Sequence, residues 1–337
     1  MTEKYYQNVD YFRATAIICV VFIHATISTI DAAKYTPFLF GLLQDLFLFA
    51  VPAFFFISGF LTLNSSYQKI FQRLPRIVIP FLLFSIACQT IKYYPNLIEN
   101  LSNILVNILF GESFAAYFFV FVIIYLYLLA PIFSKLQKYL THIFLIVLSF
   151  SFIFLILQDL NIIFQQNLPE IFWMRNPLLW LPFFLFGMLF KKNEKTISNQ
   201  IKKKNLFFAL IILVILEIIS YVFFVKSFVG YGGIIWFLYS FIACIFLFFV
   251  FKNLPKTPKL VFFTSKKSYS IYLLHIMPIQ FTTIILFQKF SISREIIIQY
   301  FPFIVLALFL AGILFSVMTV KITRTLFGKY SKYIIGS

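Results

Sequence analysis

The sequence predicts an all-α fold: a polytopic transmembrane bundle of about ten helices with both termini in the cytoplasm. Three observations carry this. The 337 residues are 62% apolar and only 12% charged, against about 45–50% and about 25% in soluble domains, so a water-facing surface cannot be built. Apolar runs approaching the ~20 residues a bilayer crossing needs recur along the whole chain. The 28 Lys and Arg, against 11 Asp and Glu, gather in alternate segments between those runs.

The runs lie near 11–31, 38–64, 76–91, 113–134, 141–158, 177–190, 206–225, 231–251, 268–288 and 299–322. Ahead of the first, MTEKYYQNVD is too polar and the run itself too long for a cleaved leader, so this span is expected to stay. The third opens at Arg76 behind Pro75, a residue tolerated in a first helical turn. The sixth is short. It is followed by the longest polar stretch, Lys191 to Asn205, which reads as a solvated loop held at anionic headgroups. No outer segment is long enough to fold by itself, so 1–337 reads as a single membrane domain, placed in the cell (plasma) membrane.

Placing the N-terminus inside puts 22 of the 28 basic residues on the inner side, among them Lys69, Arg73, Arg76, Lys191, Lys202 and Lys266. Only Lys34, Lys92, Arg175, Lys226, Lys289 and Arg294 fall outside. Most acidic loop residues (Asp31, Glu99, Glu112, Asp159, Glu170, Glu295) are outside as well. This is the positive-inside bias of a membrane protein. The formal charge of +17 is topological and marks no nucleic-acid partner.

Cys19, Cys88 and Cys244 lie inside apolar runs without paired spacing, and read as free core thiols. Walker A, HExxH, GxSxG and Cys/His metal patterns are absent from the sequence, so ATP-driven transport and zinc hydrolysis have no support and no metal is expected.

Polar residues inside apolar runs are the candidates for chemistry, because an ionisable group is expensive in a bilayer. Arg13 and His24 stand eleven residues apart in span one. On a helix that is three turns plus about 20°, so the side chains share a face, separated by a rise of roughly 16 Å. His24 is a candidate general base. Asp10, one turn before Arg13, can pair with it. Arg73 and Arg76 at the start of span three make a candidate clamp for phosphate or pyrophosphate. Ser268, Tyr272 and His275, at i, i+4 and i+7 of span nine, form a polar stripe that points into the bundle; His275 is either a second functional group or a hydrogen-bonded packing residue. Asp45 and Glu217 are carboxyls at membrane depth that no motif assigns, and His142 is expected at the inner interface.

Taken in order, several stretches resemble the acyltransferase-3 family of bacterial integral membrane proteins. The opening NVDYFRATAIICVVFIH is similar to its hallmark of Arg, ten residues, then His. VPAFFFISGFLTL resembles its second span, RLPRIVIPF its Arg-x-x-Arg element, and AYFFVFVIIYLYLLAPI and SYSIYLLH its fourth and ninth spans. The likeness runs from about residue 8 to residue 322, with Tyr117-Phe118 where the family often has Trp-Phe. It most resembles a stand-alone member, of the group proposed to modify or export surface poly-N-acetylglucosamine, of O-acetyl- or O-succinyltransferase type.

The resemblance implies transfer of an acyl group from cytoplasmic acyl-CoA, a donor substrate and not a bound cofactor, to a hydroxyl of a surface glycan or lipid-linked sugar. Arg73 and Arg76 would meet the donor's phosphates, and Arg13 its charged or carbonyl portion. His24 would act as base, with Asp10, Tyr272 and His275 among the substrate-contacting residues. The alternative is an exporter or flippase of a polysaccharide or lipid-linked saccharide, whose translocation path would use Arg13, His24 and the intramembrane acids.

Overall fold

Helix α1 (Gln7–Ala33) runs through the middle of the bundle and packs against four other long helices. The computed structural model describes residues 6–159, 175–201, 203–224, 233–290 and 292–336. The expectations for Glu170, Lys202 and Lys226 fall outside them. The protein is 86% helical, without a strand among the described residues. In order come α2 (Phe38–Phe47), α3 (Ala50–Thr62), α4 (Tyr67–Arg73), α5 (Pro75–Tyr93), α6 (Leu101–Leu109), α7 (Phe118–Lys135), α8 (Leu140–Asp159) and α9 (Pro177–Lys192). Then follow α10 (Glu194–Gln200), α11 (Lys203–Phe224), α12 (Ile234–Lys252), α13 (Lys259–Leu274), α14 (Ile276–Thr283), α15 (Arg294–Gln299), α16 (Phe301–Phe327) and α17 (Ser331–Ile334).

Every predicted run is helical where it is described. Among the described residues seven helical stretches are long and apolar enough to cross a membrane as they stand, and the bent pair α13–α14 makes an eighth, against the ten predicted. The short sixth run is α9, of 16 residues, and the seventh is α11, of 22 residues. Several short helices lie between the predicted runs, among them α4, α6 and α15, and α10 forms inside the Lys191–Asn205 stretch predicted as a solvated loop. In α6, Leu101, Leu105 and Leu109 are exposed at i, i+4 and i+8, while Asn107 on another face donates to Gln89 Oε1 at 3.1 Å. An exposed apolar row, with Ile108 and Asn107 turned toward the protein, suits a helix lying at the lipid interface.

The closest helix contact is between α3 and α9. A Cβ at Gly59 would run into the carbonyl of Phe184, and one at Gly187 into the carbonyl of Phe56. Each helix thus offers its glycine to the other's backbone, the close approach that small residues permit between helices in lipid. Around this crossing lies a buried aromatic core, in which Phe55 and Phe118 flank Trp180 at 5.1 and 5.4 Å and Trp236 meets it edge-on at 5.6 Å.

Two spans are discontinuous, each beside a proline. Pro52 has no N–H to offer the carbonyl of Leu48, and the helix breaks between α2 and α3. The indole of Trp236 on α12 donates to that carbonyl at 3.4 Å, and the Tyr239 hydroxyl donates to Leu46 O at 2.9 Å. Pro278 acts in the same way on α13–α14, which bend by 41° at His275. There the Tyr117 hydroxyl donates to Leu273 O at 2.9 Å. In hydrocarbon a carbonyl without a partner costs several kcal/mol; the indole supplies the donor that Pro52 withholds from Leu48, and the hydroxyls serve the carbonyls of Leu46 and Leu273 beside the breaks.

Two of the outer basic residues have structural tasks. Arg294 donates to the carbonyls of Ala33 (2.6 Å) and Lys34 (3.1 Å), capping the C-terminal end of α1, where a cation is favoured. Arg175 donates to Phe110 O at 3.0 Å and lies 3.8 Å from Glu112. On the predicted inner side Lys192 makes a comparable contact, donating to Gln137 O at 2.7 Å.

Gly59→Val is expected to push α3 off α9 and cost about 2 kcal/mol or more, read as a lower unfolding temperature in detergent. Tyr117→Phe keeps the ring but strands the Leu273 carbonyl; a loss of about 1 kcal/mol is expected. An unchanged melting curve for either variant would contradict this packing.

Candidate active site

The site is built where α1 and α13 lie side by side. At the lower end, the Ser265 hydroxyl donates to Asp10 Oδ1 at 2.6 Å. Higher up, the rings of His24 and His275 stand with centroids 5.2 Å apart. Contacts between early positions and between late positions make the two helices parallel neighbours. The shared face that eleven-residue spacing predicts for Arg13 and His24 is therefore the face turned toward α13.

Asp10 does not pair with Arg13: no ion pair joins them among the described residues. Ser265 takes one carboxylate oxygen, while Oδ2 is buried without a hydrogen bond. The local pairing across one helical turn loses to a hydroxyl on the neighbouring helix. Arg13 has a guanidinium with no hydrogen bond or ion pair among the described residues, and it lines two cavities that share several wall residues.

The larger cavity, about 690 Å³, is the mouth. Arg73, at the end of α4, and Arg76, in the first turn of α5, line it with Arg13, Lys69, Lys191 and Lys266. The second, about 200 Å³, shares Arg13, Arg76, Ile77, Tyr127 and Lys266 with the mouth. It continues to Ser58, Ser268 and Tyr272. Its wall is braced by Tyr269, whose hydroxyl donates to Ile77 O at 2.7 Å. Gly336, at φ +76°, folds back against the Tyr269 ring and the Arg76 carbonyl, a close approach that leaves no room for a Cβ.

At the upper end of this second space the Tyr272 ring is 5.9 Å from that of His275. His275 is fully buried at the bend of α13–α14. Its Nδ1 lies 3.0 Å from Ile271 O, and its Nε2 is buried without a hydrogen bond. His24 is half-buried. The residues Arg73, Arg76, Arg13, Tyr272, His275 and His24 thus follow one another from mouth to interior.

The structure adds residues that spacing did not indicate. Lys69, Lys191 and Lys266 complete the cationic mouth, and Lys191 also lies 3.2 Å from Glu194 and 3.7 Å from the Tyr6 ring centroid. Tyr127 and Ser58, joined at 3.4 Å, line the inner space. Ser58 belongs to the Ser-Gly-Phe end of span two, so its motif was a usable signal; the lysines looked like ordinary inner-face anchors. Asp45 and Glu217 come together in a separate small cavity walled by Leu48, Trp236 and Tyr239, whose lining shares no residue with the cation-lined mouth. His142 is exposed at the start of α8, and the three cysteines are buried free thiols.

A sequence profile of the acyltransferase domain, acyltransferase-3, matches residues 6–321. The chain belongs to this family, and is a multi-pass membrane acyltransferase. No curated protein and no solved structure matches it.

Proposed function

We propose that the protein moves an acyl group from cytoplasmic acyl-CoA to a hydroxyl of a cell-surface glycan or lipid-linked sugar at the plasma membrane. One observation carries the reading: a cation-lined mouth leads through Arg13 to a space, lined in part by Ser58 and Ser268, that ends at Tyr272, next to the histidine pair. A donor with several phosphates fits such a mouth, since guanidiniums form the strongest hydrogen bonds to phosphate. Arg73 and Arg76 are assigned to the phosphates and Arg13 to the thioester end. Asp10, beside Arg13, shapes the entrance through Ser265.

In the reaction, His24 accepts the proton of the acceptor hydroxyl as its oxygen attacks the thioester carbonyl. A C–O bond forms, the C–S bond breaks, and the proton passes from His24 to the departing CoA sulfur. Donor and acceptor need no further reactant, and no permanently bound cofactor is required. The polar stripe of span nine serves the same path, with Ser268 and Tyr272 at its wall. The family's reaction favours transfer over the export of an intact saccharide.

Purified protein with radiolabelled acyl-CoA and a polysaccharide or lipid-linked acceptor tests this. His24→Ala is expected to lower kcat by about 10²–10⁴. Arg73→Ala and Arg76→Ala are each expected to raise the donor KM about tenfold, the equivalent of about 1.4 kcal/mol of binding, with kcat little changed. If wild-type protein never consumes acyl-CoA while a saccharide still crosses the membrane, the protein is an exporter.

A further inference from the structure

The best-defined polar group left over in the interior is the second nitrogen of His275. Its ring is fully buried, and Nδ1 lies 3.0 Å from the carbonyl oxygen of Ile271. A carbonyl cannot donate, so Nδ1 carries the hydrogen and Nε2 carries a bare lone pair. That lone pair has no hydrogen bond, although a buried polar group normally finds one. The ring across from it is His24, 5.2 Å away between centroids and tilted by 49°.

We infer that His275 is a positioning residue for His24: its Nε2 accepts a hydrogen bond from the ring N–H of His24, holding one tautomer and leaving the other His24 nitrogen bare for the acceptor hydroxyl. The inference rests on the acyl-transfer reading for its role in the reaction, but the pairing stands on geometry alone. The ring centroids stand 5.2 Å apart with His275 Nε2 not yet hydrogen-bonded, and catalytic hydrogen bonds commonly tighten only when substrate binds.

The neighbourhood is arranged for this. Pro278 disrupts the helix one turn beyond Leu274, and the bend places His275 between α13 and α14. Tyr117 holds the bend at Leu273 O, and Ile271 O accepts both the backbone N–H of His275 (2.9 Å) and its ring Nδ1. The ring is therefore fixed from both backbone and side chain, with its free edge in the interior. A base whose tautomer is set by the partner of its other nitrogen is the usual way an imidazole is prepared for proton transfer. Here a neutral imidazole takes the place a carboxylate often holds, so no additional buried charge is introduced.

The chain has only 3 histidines, which makes the test direct. Protein labelled with ¹⁵N-imidazole histidine, reconstituted in lipid, is compared by solid-state NMR as wild type, His275→Leu and His275→Gln; His142→Gln removes the third signal. The expected spectra show His275 protonated at Nδ1 and His24 as a single tautomer. His24 should populate both tautomers in His275→Leu and return to one in His275→Gln, whose amide oxygen can accept. In acyl-transfer assays His275→Leu should lower kcat on the order of 10²-fold with the donor KM unchanged, and His275→Gln should recover most of it.

Protonation of His275 at Nε2 in wild type would overturn the inference without any variant. So would a His24 spectrum that does not respond to His275→Leu, or equal kcat losses in the Leu and Gln variants, which would make His275 a packing residue. If the tautomer coupling holds but wild type transfers no acyl group, the pair stands and the acyl-transfer reading falls.

Discussion

In a bilayer every backbone carbonyl needs a donor from the protein, and much of this structure follows from how two spans meet that demand after being broken. Pro52 and Pro278 each remove one donor from the middle of a span. Trp236 and Tyr239 answer the first break and Tyr117 the second. These residues come from α12 and from the turn before α7, so the breaks pull distant elements together. The second break also decides the chemistry. It sets His275 at a bend, where its ring meets α1 and not the next turn of its own helix.

The rigid frame around that bend is the α3–α9 crossing, where Gly59 and Gly187 let each backbone touch the other. With lipid outside as apolar as the helices, close packing of this kind supplies cohesion that hydrophobic burial cannot. The same frame fixes one wall of the cavity, since Ser58 precedes Gly59 and Tyr127 on α7 bonds to it. The cations divide by task. Arg294 and Arg175 satisfy carbonyls on the outer side, while Arg13, Arg73 and Arg76 line the inner cavity. Arg13 makes no hydrogen bond or ion pair among the described residues, while its predicted partner, Asp10, accepts from Ser265 through one carboxylate oxygen.

Much of the site was legible in the chain. Arg13 with His24, and Arg73 with Arg76, stand out because helical period puts each pair on one face and because charges are rare in apolar runs. The stripe of Ser268, Tyr272 and His275 was visible for the same reason. Period names a face, though, and not what the face meets. Thus the Asp10–Arg13 pairing failed, His275 stood undecided between packing and function, and Lys69, Lys191 and Lys266 passed for interface anchors. The α6 helix was missed because nine residues of apolar outer face are too short to read as a span.

By itself the sequence determined that this chain is a multi-pass helical membrane protein and which of its stretches are apolar helices. Those properties depend on composition and local period, which act along the chain. Only the tertiary structure decided that His24 faces His275, that Asp10 belongs to Ser265, and that Asp45 and Glu217 share a cavity. The physical reason is that partners in lipid are chosen by which helices lie side by side, and that choice depends on glycine contacts and proline breaks far from the residues it joins.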